Sequence, residues 1–409
     1  MRKPAAWPRE FPGANWYDRQ EERAVLNVLR GKAPFRYYGV AQPRYVAAFE
    51  EEAKKVYGVR HALAVNSGTG ALMTAMTALG IGPGSEVIVP AFLWVSTVGA
   101  VVHANAIPVL CEVDDSLSMD PDGLECKITP RTRLIVAVHM AGAPCDMKRI
   151  VAIARKRRIP VLEDCAQCNG GTVEGKSVGS FGQIGMFSLQ INKNITAGEG
   201  GLLVTDDEGL YLKMLAAHDV GALWRDGGLV PDPRYVAWGT GRRMAELIGA
   251  VASVQLGKLA RVVGHMRASK KRLKAMLEDT PGLAWRRLND PAGDTACCLV
   301  FYAPDRGRAA RTVAAIRDSN LFGASRLAEY GMHIYYNIPQ LVHKAPLSPA
   351  GNPWSLPQNA GIVREYGKGA CPTSDALFER AVILSIPSTL TRPQEQVMAA
   401  ILRGAVLQA

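Results

Sequence analysis

The run Phe187-Ser188-Leu189-Gln190-Ile191-Asn192-Lys193-Asn194-Ile195-Thr196-Ala197-Gly198-Glu199-Gly200-Gly201 organises the reading of this 409-residue chain. It leaves one apolar strand at 184–189, carries a lysine five residues after a serine, and turns through glycines into a second strand at 201–206. Other short apolar runs occupy 61–66, 86–90, 107–113, 133–139 and 159–163, with helical spacing at 70–79, 95–103, 147–156 and 208–218. Continuous apolar strands alternating with helices predict an α/β fold, with a mainly parallel sheet covered on both faces. Such sheets bind ligands at the carboxyl ends of their strands. Ser67, Gly68, Thr69, Trp94, Asp164 and Ser188 fall near those ends.

Beyond residue 245 the texture changes. A long helix over about 244–273 bridges to a smaller α+β unit, with strands at 295–302 and 382–386 and helices near 308–320 and 392–407. Residues 338–357, rich in Pro, Gly and Asn, read as a long surface loop. The expected division is an N-terminal helical segment (1–30), a large domain (31–255) and a small C-terminal domain (256–409).

Hydrophobic content of 48% with 21% charged residues is that of a globular chain and excludes disorder. No apolar run approaches the ~18 residues of a membrane span. The basic start, Met1-Arg2-Lys3-Pro4-Ala5-Ala6-Trp7, has no apolar core behind it, so a cytoplasmic protein is expected. The formal charge of +11 is spread along the chain, and clusters such as Arg155-Lys156-Arg157-Arg158 close helical stretches. No nucleic-acid-binding motif accompanies it, so neither nucleic acid nor membrane is an expected partner. Cys165-x-x-Cys168 lacks a second pair at zinc spacing and reads as reduced packing thiols. The histidines show no metal spacing, and no metal is expected.

Three demands meet in the remaining motifs. Lys193 lies among uncharged neighbours, where a largely unprotonated amine can attack an aldehyde. Asp164, after the apolar strand, suits either a helix cap or a partner for a pyridinium nitrogen. Gln167 could donate to a phenolic oxygen one turn on, while Glu163 points to the opposite face and reads as structural. Ser67-Gly68-Thr69-Gly70 joins a strand to a helix, a natural phosphate site, with Ser188 adding a hydroxyl. Trp94 fits an ordinary core aromatic or a ring stacked on a cofactor. Together they describe a pyridoxal 5'-phosphate (PLP) site.

These blocks, with Phe35-Arg36-Tyr37-Tyr38-Gly39 and Cys371-Pro372-Thr373-Ser374-Asp375, resemble the DegT/StrS-type sugar aminotransferases from about Arg36 to the C-terminus. The resemblance implies the aspartate-aminotransferase-like PLP fold (type I) and a homodimer with active sites at the interface. It implies Lys193 as the Schiff-base lysine and proton carrier. Asp164 would hold the pyridine nitrogen, Gln167 the phenolic oxygen, and Gly68, Thr69 and Ser188 the phosphate, with Trp94 on the ring. The implied reaction passes an amino group from glutamate or glutamine, through the pyridoxamine form, to a ketone on a sugar, nucleotide sugar or cyclitol in natural-product or glycan biosynthesis. The same scaffold also supports elimination, decarboxylation or carbon–carbon chemistry on an amino acid. One departure stands out: Gly239-Thr240-Gly241-Arg242-Arg243-Met244 has glycine where the family usually carries a phosphate-binding asparagine. Arg242 or Arg243 is the expected substitute, through a charge-assisted bond. Tyr37, Tyr38, Tyr335, Tyr336, Asn337 and His343 are candidates to line a pocket for a polyhydroxylated ring.

Overall fold

The computed structural model describes residues 7–8, 10–225, 228–235, 237–321 and 323–409. The basic residues at 1–6 lie outside these. A central sheet contains β1 (His61–Val65), β2 (Glu86–Pro90), β3 (Ile107–Cys111), β4 (Thr132–Val138) and β5 (Val161–Asp164). After a small hairpin, β6 (Thr172–Val173) and β7 (Lys176–Ser177), come its last strands, β8 (Ile184–Ser188) and β9 (Gly201–Thr205). The order across the sheet is β1-β9-β8-β5-β4-β2-β3. β3, β2, β4, β5 and β8 pair in parallel, and β9 runs antiparallel between β8 and β1. The expected strands are thus present, with ends within about two residues.

Both faces of this sheet are buried, which is why the middles of its strands are largely apolar. Leu63, Val65, Val87, Val89, Leu134 and Val136 point into one core, shared with Leu72 and Met76 of α3 (Gly68–Ala78) and Val101 of α4 (Val95–His103). The alternate residues Ala62, Ala64, Ile88, Ile135 and Ala137 point into a second core. There they meet Phe49 of α2 (Tyr45–Tyr57), Ile150 of α6 (Met147–Arg157) and Leu256 of α8 (Glu246–Met276). The remaining helices of this part are α1 (Arg19–Gly31), α5 (Pro121–Lys127) and α7 (Glu208–His218), followed by the hairpin β10 (Leu223–Arg225) and β11 (Gly228–Val230).

Helix α2 has no counterpart in the sequence reading. Its N-cap residue, Arg44, makes no side-chain cap. Instead, the buried Glu246 carboxylate accepts the N–H groups of Arg44, Tyr45 and Val46 at 2.7–3.0 Å. The start signal therefore comes from the distant head of α8.

Helix α8 is long and apolar enough to cross a membrane by length and composition alone. It packs against α1, α2 and α12 (Arg392–Gln408), and Leu256, Leu259, Val262 and Met266 face the core. The boundary placed near residue 255 falls inside this helix. Beyond it lies an antiparallel sheet, in the order β12-β13-β15-β14, of β12 (Ala284–Trp285), β13 (Cys298–Tyr302), β14 (Ser325–Arg326) and β15 (Ala381–Ser385). Leu299 and Leu384 of this sheet pack with Ile316 of α9 (Arg306–Asp318) and Leu402 of α12. The segment read as one long loop opens with the short helix α10 (Pro339–Val342), and α11 (Pro372–Arg380) follows it.

Candidate active site

One cavity of about 570 Å³ opens at the carboxyl ends of β1, β4, β5 and β8. Gly68, Thr69, Trp94, Asp164, Gln167, Ser188 and Lys193 all line it. Its volume lies in the range of small-molecule sites.

Lys193 follows β8 on a loop held at both peptide groups. Its N–H donates to the Gln190 carbonyl at 2.9 Å, and its own carbonyl accepts the Gly13 N–H at 3.0 Å. Burial lowers the pKa of its amine, opposed by the nearby Asp164 charge. Asp164 ends β5 and is 3% exposed. Burial raises its pKa, while the Ala166 N–H (3.1 Å), the Thr97 hydroxyl (2.8 Å) and Lys193 work to keep it ionised. A carboxylate so supplied with donors can hold a proton on a ring nitrogen.

At the opposite end, Ser67 caps α3 by accepting the Gly70 N–H at 2.9 Å. That leaves the first turn of the helix facing the cavity with its positive dipole end. A Cβ on Gly68 would stand 2.9 Å from the Ser188 Cβ, so only glycine lets this turn close against β8. Gly201 is needed for the same reason, since its Cβ would meet the Ser67 carbonyl at 2.3 Å. Thr69 donates its hydroxyl to Ser96 at 2.9 Å, adding a second hydroxyl to the rim. Amides, hydroxyls and a helix N-terminus fit a phosphate. Gln167 accepts the Ala141 N–H at 3.1 Å through its carbonyl, so its NH₂ is the end offered to the cavity. The donor set therefore fits PLP from phosphate to ring nitrogen.

Residues 19–402 match the sequence model of the DegT/DnrJ/EryC1/StrS aminotransferase family. The chain belongs to that family. It is similar to L-glutamine:2-deoxy-scyllo-inosose aminotransferase of Streptomyces kanamyceticus, 35% identical over 312 residues, or 74% of this chain and 69% of the relative. GDP-perosamine synthase of Caulobacter vibrioides is 36% identical over 312 residues, covering 74% of this chain and 80% of that protein. Among solved structures, 3-amino-5-hydroxybenzoic acid synthase superposes with a TM-score of 0.81 at 29% identity, over 99% of this chain and 98% of that one. The enzyme is a PLP-dependent aminotransferase of fold type I.

In this aminotransferase, some cavity residues escaped the sequence reading. His333 lines the cavity between Trp94 and Tyr330, with ring centroids 4.6 and 4.5 Å away. Burial pushes its pKa down to about 4, and the Lys193 charge acts the same way, so the ring is neutral at pH 7. The Leu93 N–H donates to the His333 carbonyl at 3.0 Å and Phe92 bridges Ile334, which brings this segment to the end of β2. Glu10 also reaches the cavity, from the N-terminal segment, and its carboxylate accepts the Ser385 hydroxyl at 3.1 Å. No local spacing signals either residue.

Other expected residues lie elsewhere in this chain. Tyr335 is buried and donates its hydroxyl to Asp375 at 2.9 Å. Tyr336 packs beside Phe378 and under Lys368, and Asn337 donates to the Ala328 carbonyl. His343 closes α10. Tyr335 and Tyr336 face α11 and not the cavity, and His343 is exposed. Arg243 pairs with Asp219 and covers Phe35 at 5.4 Å, and Arg242 lies along α3 against Met73. Tyr37 stacks on Trp224 at 4.5 Å, with Tyr38 beside both. Tyr37, Tyr38 and Arg243 thus gather into a second cluster, outside the cavity.

Glu163 supports Asp164 from the other face of the sheet. Its carboxylate accepts the N–H groups of Gly179, Phe181 and Gly182 at 2.7–2.8 Å and contacts His139 Nε2 at 3.2 Å. His139, Glu163 and Cys165 are close enough to share a metal ion. Those backbone donors already occupy the carboxylate, so the group serves as a structural brace.

Proposed function

We propose that this aminotransferase takes an amino group from L-glutamine or L-glutamate and delivers it to a ketone on a cyclitol or sugar, free or nucleotide-linked. The convergence of Lys193, Asp164, Gln167 and the Gly68–Ser188 cradle on one cavity carries this reading. Similarity to inosose and nucleotide-sugar aminotransferases supports the acceptor class. PLP, when bound, supplies an electrophilic carbon and an electron sink.

The protein's own groups do the rest. Lys193, whose desolvation lowers the pKa of its amine, would take and return the proton at the reacting carbon. Asp164, its oxygens fixed by Thr97 and Ala166, would secure the ring nitrogen. Gln167 directs an N–H toward the ring substituent, and Trp94 flanks the ring. We place Arg243, Tyr37 and Tyr38 in the second site of a homodimer, where their surface would complete the partner's cavity. Tyr38 (62% exposed), Val40 (83%) and Trp238 (96%), within five residues of them in the chain, are uncovered apolar side chains, which favours such an interface. A cytoplasmic setting is part of the same proposal.

The experiment is the visible spectrum of PLP-loaded protein before and after L-glutamate, then L-glutamine. Bleaching of the lysine-bound cofactor band with a donor, and its return on adding a keto-cyclitol or keto sugar, is the expected result. A spectrum unmoved by both donors counts against transamination and favours other amino-acid chemistry on the scaffold. Mixing Lys193→Ala with Arg243→Ala protein tests the shared site: activity regained in the mixture supports it, and none refutes it.

A further inference from the structure

Two thiols in the cavity wall take no part in this chemistry. Cys297 and Cys298 stand where the chain enters β13, and both line the cavity with Lys193 and Gln167. Ala296, just before them, adopts a left-handed backbone with φ +64°. The two sulfurs lie 3.8 Å apart, in hydrogen-bond contact. The Cys297 sulfur is also 4.0 Å from the Gln167 carbonyl oxygen, and its charge is felt at Lys193.

The surroundings make the pair unequal. Contact with Cys298 holds the Cys297 pKa below its ordinary value, against burial and with help from Lys270. Cys298 is pushed well up and keeps its proton. Two sulfurs in contact at the wall of an open cavity, with the acidity of Cys297 raised relative to Cys298, form the arrangement of an attacking and a resolving thiol. None of the other cysteines lines the cavity: Cys111, Cys145, Cys165, Cys168 and Cys371 are buried, as Cys298 is, and Cys126 is exposed on α5.

We propose that Cys297 and Cys298 form a reversible oxidation site in the wall of the cofactor cavity, with a hydroperoxide as oxidant. The Cys297 thiolate attacks one peroxide oxygen, the O–O bond breaks, and Cys297 becomes a sulfenic acid as the leaving alkoxide or hydroxide takes a proton. The Cys298 sulfur then attacks that of Cys297, an S–S bond forms, the S–O bond breaks, and water leaves. Two electrons pass from the sulfurs to the peroxide. Adjacent Cα atoms stand about 3.8 Å apart, below the roughly 4.4–6.8 Å of ordinary disulfides. The resulting bond is strained and readily reduced by a dithiol. Its formation moves sulfur beside Gln167 and Lys193, so turnover is lost while it persists. The consequence for turnover rests on the cavity being the cofactor site.

The test uses full-length, PLP-loaded protein carrying Cys126→Ser, treated with hydrogen peroxide, alkylated and mapped by mass spectrometry. The expected result is an intact mass lower by two hydrogens, with Cys297 and Cys298 losing alkylation together and regaining it after dithiothreitol. Turnover should fall and recover in step. In Cys298→Ser protein the oxidation should stop at a dimedone-trapped Cys297, and Cys297→Ser should resist. Thiols at 297 and 298 that stay alkylatable, or oxidation mapped to Cys165 and Cys168 instead, overturn the proposal. Thiol mapping needs no substrate, so it stands apart from the transamination reading. Failure of that reading shows separately, as absent bleaching by donors in untreated protein.

Discussion

Asp164 and Lys193 face one cavity with opposite charges, each offsetting what burial does to the other's proton. Desolvation pushes the carboxyl up and the amine down, and their mutual attraction opposes both shifts. The site therefore sets a carboxyl with its pKa raised beside an amine with its pKa lowered, and an amine that sheds its proton more readily is the requirement for lysine attack on an aldehyde.

Lys193→Ala is expected to remove the visible band of lysine-bound PLP and to abolish turnover, with circular dichroism unchanged. A band surviving in the purified variant would assign the cofactor to another lysine.

Asp164→Asn removes the charge that secures the ring nitrogen. A bond to a charged group contributes about 1.5–3 kcal/mol, so kcat should fall roughly 10- to 100-fold or more. Thr97→Val, which deletes the 2.8 Å bond to Asp164, should act in the same direction but more weakly. Steady-state kinetics with saturating donor read both effects, and a wild-type kcat in Asp164→Asn would refute the role.

Gly68→Ala places a methyl group 2.9 Å from the Ser188 Cβ, against backbone-anchored atoms with little freedom to move. Overpacking of this kind costs about 1–3 kcal/mol, which should appear as weaker PLP binding in a fluorescence titration. Gly82→Ala, where a new Cβ meets nothing within 4 Å, serves as the neutral control.

Glu246→Ala strips α2 of the acceptor for three backbone N–H groups. Each unpaired buried donor costs about 1–3 kcal/mol. A loss of roughly 3 kcal/mol or more in urea unfolding is expected, with Glu246→Gln less damaging because one acceptor oxygen remains.

His218 donates from Nδ1 to the Leu215 carbonyl at 2.6 Å and is buried beside Arg36. Burial, and then the Arg36 charge, push its pKa down to about 3. Between that value and the ordinary 6.5, the unfolded chain binds a proton that the folded chain does not, so stability falls as pH drops. This group contributes about 2 kcal/mol of loss between pH 7 and pH 5. The stability advantage of wild type over His218→Gln should shrink by that amount, measured by urea unfolding at the two pH values. An unchanged difference would show that His218 titrates normally.

Much of the fold was legible because strands buried on both faces are largely apolar. The runs at β1 to β5, β8 and β9 could hardly be read otherwise, and the covering helices carry their own spacing. Lys193, Asp164, Gln167 and the Ser67–Thr69 turn were visible because each sits within a few residues of a strand end, and strand ends converge in a parallel sheet. Tyr335, Tyr336 and Asn337 lie outside the cavity of this chain, because aromatic and amide groups serve packing as readily as binding. Only the orientation of the 3-10 run against α11 separates the two uses.

Local chemistry along the chain determined which residues make strands, which turn admits a phosphate and which lysine is kept from water. Contacts between distant residues decided the rest. Glu246 starts α2, Glu163 braces the turn behind Asp164, and Glu10 and His333 reach the cavity from opposite ends of the chain. A side chain's hydrogen-bonding capacity is written in its type, but its partner is set by which segments the core packs side by side, and no local pattern records that choice.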